Sequence, residues 1–106
     1  MPDPLSQDSE DALGALVEQF PEVIGQMPGP EFSSHQFILS LARNHQGLYV
    51  EALHRYREHG TPFRTLHGLL SAKLNEFADR LERLNDIESL DIFGQPGRCA
   101  AWRKRF

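Results

Sequence analysis

Apolar residues recur along this chain at helical spacing in three separate stretches, and then the period changes. From about Ser9, the residues Leu13, Leu16, Val17 and Phe20 fall at i, i+3, i+4 and i+7, the repeat that lines one face of an α-helix. Glu10 and Asp11 occupy the expected first turn, where the helix dipole favours negative charge. Pro21 disfavours helical geometry at the residue before it, so this helix is expected to end or kink at Phe20. Gly25-Gln26-Met27-Pro28-Gly29-Pro30 then reads as a linker.

The second stretch opens on a capping box, with Ser33 as N-cap and Gln36 reaching back from the third helical position. Phe32 and Phe37 stand where a hydrophobic staple places them. Its apolar stripe is Phe37, Ile38, Leu41 and Ala42, then Leu48, Tyr49, Ala52, Leu53 and Tyr56. The polar run Arg43-Asn44-His45-Gln46-Gly47 favours a break or bend near Asn44–Gly47. One long helix is the alternative, because the stripe keeps its phase. Gly60 closes the segment, and Thr61-Pro62 restarts a helix with proline at the first position. The third stripe, Phe63, Leu66, Leu70, Leu74, Phe77, Leu81 and Leu84, predicts a helix over 62–84 of about six turns.

After Asn85 the pattern becomes strand-like. Ile87–Phe93 and Cys99–Phe106 read as two strands around a turn at Gly94–Gly97. A loop over 94–98 sets Leu90 opposite Trp102, Ile92 opposite Ala100 and Glu88 opposite Lys104. A lone hairpin is marginal in water, so the Leu90/Ile92/Trp102/Phe106 face is expected to pack on the helices. The expected fold is therefore mainly α with a C-terminal two-stranded β-hairpin and an appended N-terminal helix. Residues 1–30 form the acidic leader, helix and Pro/Gly linker, and residues 31–106 the main domain.

Composition narrows the class without identifying a function. With 106 residues, 40% hydrophobic and 25% charged, the chain suits one folded domain rather than a core plus a deep substrate cleft. The single cysteine, Cys99, excludes an internal disulfide and hence a secreted disulfide scaffold. Met1-Pro2-Asp3-Pro4 lacks the basic start and apolar run of a signal peptide. No apolar run approaches bilayer length, and a cytoplasmic location is expected. The net charge of −4 divides unevenly, −7 over residues 1–53 and +3 over 54–106. That split points to an anionic partner for the C-terminal half, or to acidic and basic parts meeting within the fold.

The order of elements from Ser34 to Phe106, roughly two-thirds of the chain, resembles a winged helix-turn-helix domain. Gln36–Arg43 would be its first helix, Gln46–Glu58 its second, Pro62–Leu84 the recognition helix and Ile87–Phe106 the wing. The resemblance implies that the start of the recognition helix enters a DNA major groove. The candidates there are Arg64, Thr65, Gly68, Ser71 and Asn75, with Arg64 suited to guanine or phosphate and Asn75 to adenine. Gly68 and Ser71 are small enough for close approach, and Arg98, Arg103 and Arg105 of the wing would reach phosphates. Such contacts make binding steeply salt-dependent. Glu76, Asp79 and Glu82 would repel a duplex lying along the whole helix, so it must point in end-on.

Other chemistry finds little support. His35, His45, His54, His59 and His67 include no His-x-x-x-His pair, and Cys99 is the only thiol, so no metal or cofactor is expected. No Gly-rich phosphate loop, dinucleotide fingerprint or recognisable paired-carboxylate frame is present; the expectation is a non-enzymatic regulatory module. The competing expectation is protein interaction. Phe63, Leu70, Phe77 and Leu84 lie seven apart, a row able to seal a homodimer by helix pairing. The acidic N-terminal helix is also able to cover the basic wing. The candidate partners are thus DNA, a second copy of this chain or another protein, and no membrane.

Overall fold

The computed structural model describes residues 12–105. The expected helix start at Ser9–Asp11 and the packing of Phe106 lie outside them. Residues 12–18 are helical (α1), and the chain kinks at Gln19 before α2, Phe20–Gln26. Pro21 lies in the first turn of α2, where a missing N–H costs nothing, so α1 ends just before it and a new helix starts around it. Gly25 and Gln26 therefore belong to a helix and not to the linker. Leu16, Phe20, Val23 and Ile24 are buried in the same core as the later helices.

The chain next forms a short strand, β1 (Glu31–Ser33), which runs directly into α3 (Ser34–Asn44). The capping box is made: Ser33 Oγ accepts from the Gln36 amide at 3.1 Å, and the Ser33 amide donates to Gln36 Oε1 at 2.8 Å. Phe32 and Phe37 stack with ring centroids 6.0 Å apart, the contact expected of the staple. His45 is non-helical (φ −136°, ψ 54°) and separates α3 from α4, Gln46–His54. The two-helix expectation holds here.

The largest correction concerns the third stripe. Helix α5 runs only over Pro62–Lys73, tightens into a 3-10 turn at Leu74–Phe77, and gives way to strand β2, Leu81–Leu90. Leu66, Leu70, Leu74 and Leu81 are all buried, while Phe77 packs on Phe20 at 5.4 Å. One core takes leucines from both helix and strand, so their spacing continues while the backbone changes state. Packing overrides local propensity here. The row Phe63, Leu70, Phe77, Leu84 consequently does not lie on one helix.

Strand β3 (Pro96–Lys104) lies between β1 and β2 in an antiparallel sheet of order β1-β3-β2. The expected two-stranded hairpin is thus two strands of a three-stranded sheet. Its register also differs from expectation: Leu90 pairs with Pro96, Glu88 with Arg98, Arg83 with Trp102 and Leu81 with Lys104. The turn sits at 91–95. Asp91 Oδ1 accepts from the amides of Phe93 and Gln95, both at 2.9 Å, and Gly94 supplies a φ of 78°. An aspartate capping its own turn is a turn signal that displaced the strand reading. Between Leu84 and Ile87 the ladder shifts register, with one extra residue in β2 forming a bulge. Leu90, expected to face the helices, is 62% exposed, whereas Trp102 is 2% exposed. No helix among the described residues is long and apolar enough to cross a membrane.

Candidate nucleic-acid interface

Helix α5 and the β2–β3 hairpin enclose an open cleft of about 790 Å³. Its floor is fixed by buried polar contacts around the junction of β1 and α3. Trp102 Nε1 donates to Ser34 Oγ at 2.9 Å, and Ser71 Oγ donates to the same oxygen at 2.7 Å. Ser33 Oγ and Ser89 Oγ lie 2.8 Å apart. Two adjacent serines therefore tie α3 to β3, to α5 and to β2. Each buried side-chain polar atom among the described residues finds a partner, as a stable interior requires.

The mouth of the cleft is held by two further contacts. Phe63, at the start of α5, meets Phe93, in the hairpin turn, edge to face with centroids 4.9 Å apart. His35 Nδ1 lies 3.0 Å from the Ser89 carbonyl oxygen; a carbonyl only accepts, so that nitrogen bears the proton. Deeper on the helical side, Tyr49 Oη is 2.6 Å from His67 Nε2. Burial pushes the Tyr49 phenol up to about 12, so it stays protonated and donates. Burial also lowers the His67 pKa, with Asp91 opposing and His35 reinforcing the shift. His67 is therefore the neutral acceptor of this pair.

The structure brings together five of the eight residues proposed from sequence. Arg64, Gly68, Ser71 and Asn75 line the helical wall, and Arg98 lines the hairpin wall. Thr65 is half-buried and lies outside the cleft lining. Arg103 pairs with Glu31 at 3.4 Å and Glu82 at 3.8 Å, across the two neighbouring strands. Arg105 Nε donates to the Leu81 carbonyl at 3.0 Å. Neither of these last two arginines lines the cleft.

Sequence reasoning missed Arg83, His35 and Phe93, which also line it. Arg83 was hidden by its assignment to the helix, and no sequence signal placed the hairpin turn against Phe63. The charges in the cleft are unequally engaged. Arg83 pairs with Asp86 at 2.9 Å and stands 5.7 Å over the Trp102 ring. The amides of Gln95 and Phe93 hold the Asp91 carboxyl below its usual range. Arg98 reaches only the Asp86 carbonyl, at 3.4 Å. Arg64 makes no hydrogen bond or ion pair with the described residues. Among the described residues, these two guanidiniums of the cleft are without a carboxylate partner.

Gly68 is open toward this space, since a Cβ there would meet no atom within 4 Å. Cys99 is half-buried in the lining. No group of three or more metal-ligating side chains occurs among the described residues. Comparison with protein-family models, with curated proteins and with solved structures finds no match, so the chemistry of the cleft is the ground for a functional reading.

Proposed function

We propose that this chain is a non-enzymatic, winged-helix-like DNA-binding module of the cytoplasm, with a regulatory role, and that it binds through the cleft between α5 and the hairpin. The observation that supports this reading is the placement of Arg64 and Arg98 on opposite walls of one cleft, neither paired with a carboxylate. Guanidinium groups suit phosphate oxygens through their planar fork of donors. The Phe63–Phe93 contact keeps the two walls together. Arg103 and Arg105 take no part, because neither lines the cleft.

The test is fluorescence anisotropy with labelled mixed-sequence DNA, offered both as a duplex and as a single strand. Two phosphate contacts predict that log K falls against log salt with a slope of about −1.8 on duplex or −1.4 on single strands. An Arg64→Glu/Arg98→Glu double variant loses binding of either form while keeping its circular dichroism spectrum. Arg103→Glu, away from the cleft, retains it. Absence of binding to both forms at low salt by the folded wild type would reject the reading.

A protein-docking alternative draws on a different observation. Ile87 is 42% exposed and Leu90 62% exposed, and both lie outside the cleft lining. Three residues apart on one strand, they lie on opposite faces, and Leu90, the more exposed and nearer the turn, is the side chain this alternative offers to a partner. Under that alternative, Leu90→Ser abolishes partner binding and the cleft arginines are dispensable.

A further inference from the structure

Helix α5 presents its candidate residues in an unusual setting for a helix that reads a duplex. Arg64, Gly68, Ser71 and Asn75 form the wall of a concave cleft, and the hairpin stands opposite them. A major groove about 12 Å wide admits a helix of about 10–12 Å diameter only when that helix protrudes. Here the hairpin turn rests on the start of α5 through the Phe63–Phe93 contact at 4.9 Å, and Ser71 is bonded down to Ser34 at 2.7 Å. The concavity receives a ligand instead of entering one. Its volume of about 790 Å³ lies in the range of compact ligand sites, about 300–1,000 Å³, and suits a thin strand.

Resting on the DNA-binding reading above, we infer that the cleft takes single-stranded DNA, with a base stacked on Phe93 and the flanking phosphates held by Arg64 and Arg98. Phe93 is 57% exposed, and Phe63 buttresses it edge to face. That leaves ring surface at the mouth of a cationic cleft, the combination that binds single strands with little sequence preference. The lining carries Arg64, Arg83 and Arg98 against Asp86 and Asp91; Arg83 pairs with Asp86, Asp91 stays ionised within its own turn, and Arg64 and Arg98 meet no carboxylate among the described residues. Gly68 fits the same picture. Glycine within a helix costs stability relative to alanine, yet no protein atom occupies the space beside it. That space belongs to the cleft.

The experiment compares a labelled mixed-sequence single strand of about 12 nucleotides, matched to the site size of small single-strand binders, with the duplex of the same sequence. The expected result is single-strand affinity at least tenfold above duplex affinity. Phe93→Ala then lowers single-strand affinity by about five- to 150-fold, the worth of one stacked base, and leaves duplex affinity within twofold. Gly68→Met fills the cleft without changing charge and weakens single-strand binding as well. Its melting curve and that of Phe93→Ala establish that both variants fold. Equal or tighter duplex binding, or an unchanged single-strand affinity in folded Phe93→Ala, overturns the inference and leaves the broader DNA reading standing. Binding of neither form by the wild type overturns both.

Discussion

The two halves of the hairpin share a ladder but not an environment. The basal half, 81–84 against 101–104, is hydrogen-bonded on both sides of β3, because β1 pairs with residues 101–103. Its side chains Leu81, Ala101 and Trp102 are buried. Two of its cations are committed, Arg103 to two glutamates and Lys104 Nζ to the Met27 carbonyl at 2.6 Å. The distal half, 87–90 against 96–99, is paired on one side of β3 only and exposes Ile87, Leu90 and, in the turn, Phe93. Its arginine, Arg98, is left open to the cleft. Rigidity and binding capacity are therefore separated along one element. Arginines near each other in sequence are not equivalent, because the neighbours that neutralise them arrive from β1 and β2.

The sharpest way to break this comparison is to attack the base. Trp102→Ala removes a fully packed ring and strands the hydroxyl contact at Ser34. It should cost about 3–5 kcal/mol of stability in urea unfolding, and a loss under about 1 kcal/mol would mean that the base is not the structural half. At the tip, Phe93→Ala removes a half-exposed ring with one aromatic contact. The same assay should show about 1 kcal/mol or less; a cost approaching that of Trp102 would erase the distinction.

The smallest effect is electrostatic. An imidazole titrates near 6.5 when unperturbed, and His67 lies below that in the fold. Above pH 6.5 both folded and unfolded states hold it neutral, so its contribution is fully present there. As pH falls below 6.5 the unfolded state takes up the proton first, and stability declines until the folded-state pKa is passed. Thermal unfolding between pH 7.5 and 5.5 should show a shallow decline that is reduced in His67→Gln. An identical slope in the variant would show that His67 does not contribute to it.

Legibility in the sequence followed the reach of each interaction. The capping box at Ser33 and Gln36 acts over three residues, and it was readable for that reason. So was the helix break before Gln46, where a polar run supplied a local signal. Strand β1 was not readable, because Glu31-Phe32-Ser33 is too short to show alternation and exists through its pairing with Arg103, Trp102 and Ala101. The end of α5 was masked by Leu81, which continues the helical spacing because it fills the same core, and by Leu84, which keeps that spacing while lying half-buried outside the core. At the cleft, Arg64, Gly68, Ser71 and Asn75 could be grouped from helical spacing alone. Which hairpin arginine joined them depended on a register that Asp91 set by capping its own turn.

The bulge between Leu84 and Ile87 also bears on how this gene tolerates small deletions. Side chains alternate faces along a strand, so an extra residue would reverse the facing of everything beyond it if the bulge did not absorb it. An in-frame loss of the single codon for Asn85 would remove that extra residue and leave Ile87 opposite Cys99 in a regular ladder. The part of β2 beyond it would keep its register and its facing, with Ser89 still against Ser33 and Phe93 still against Phe63. Removal of a codon from the regular part of the strand, such as that for Glu88, would instead turn over everything beyond it, so two neighbouring surface codons would differ sharply in their tolerance of loss.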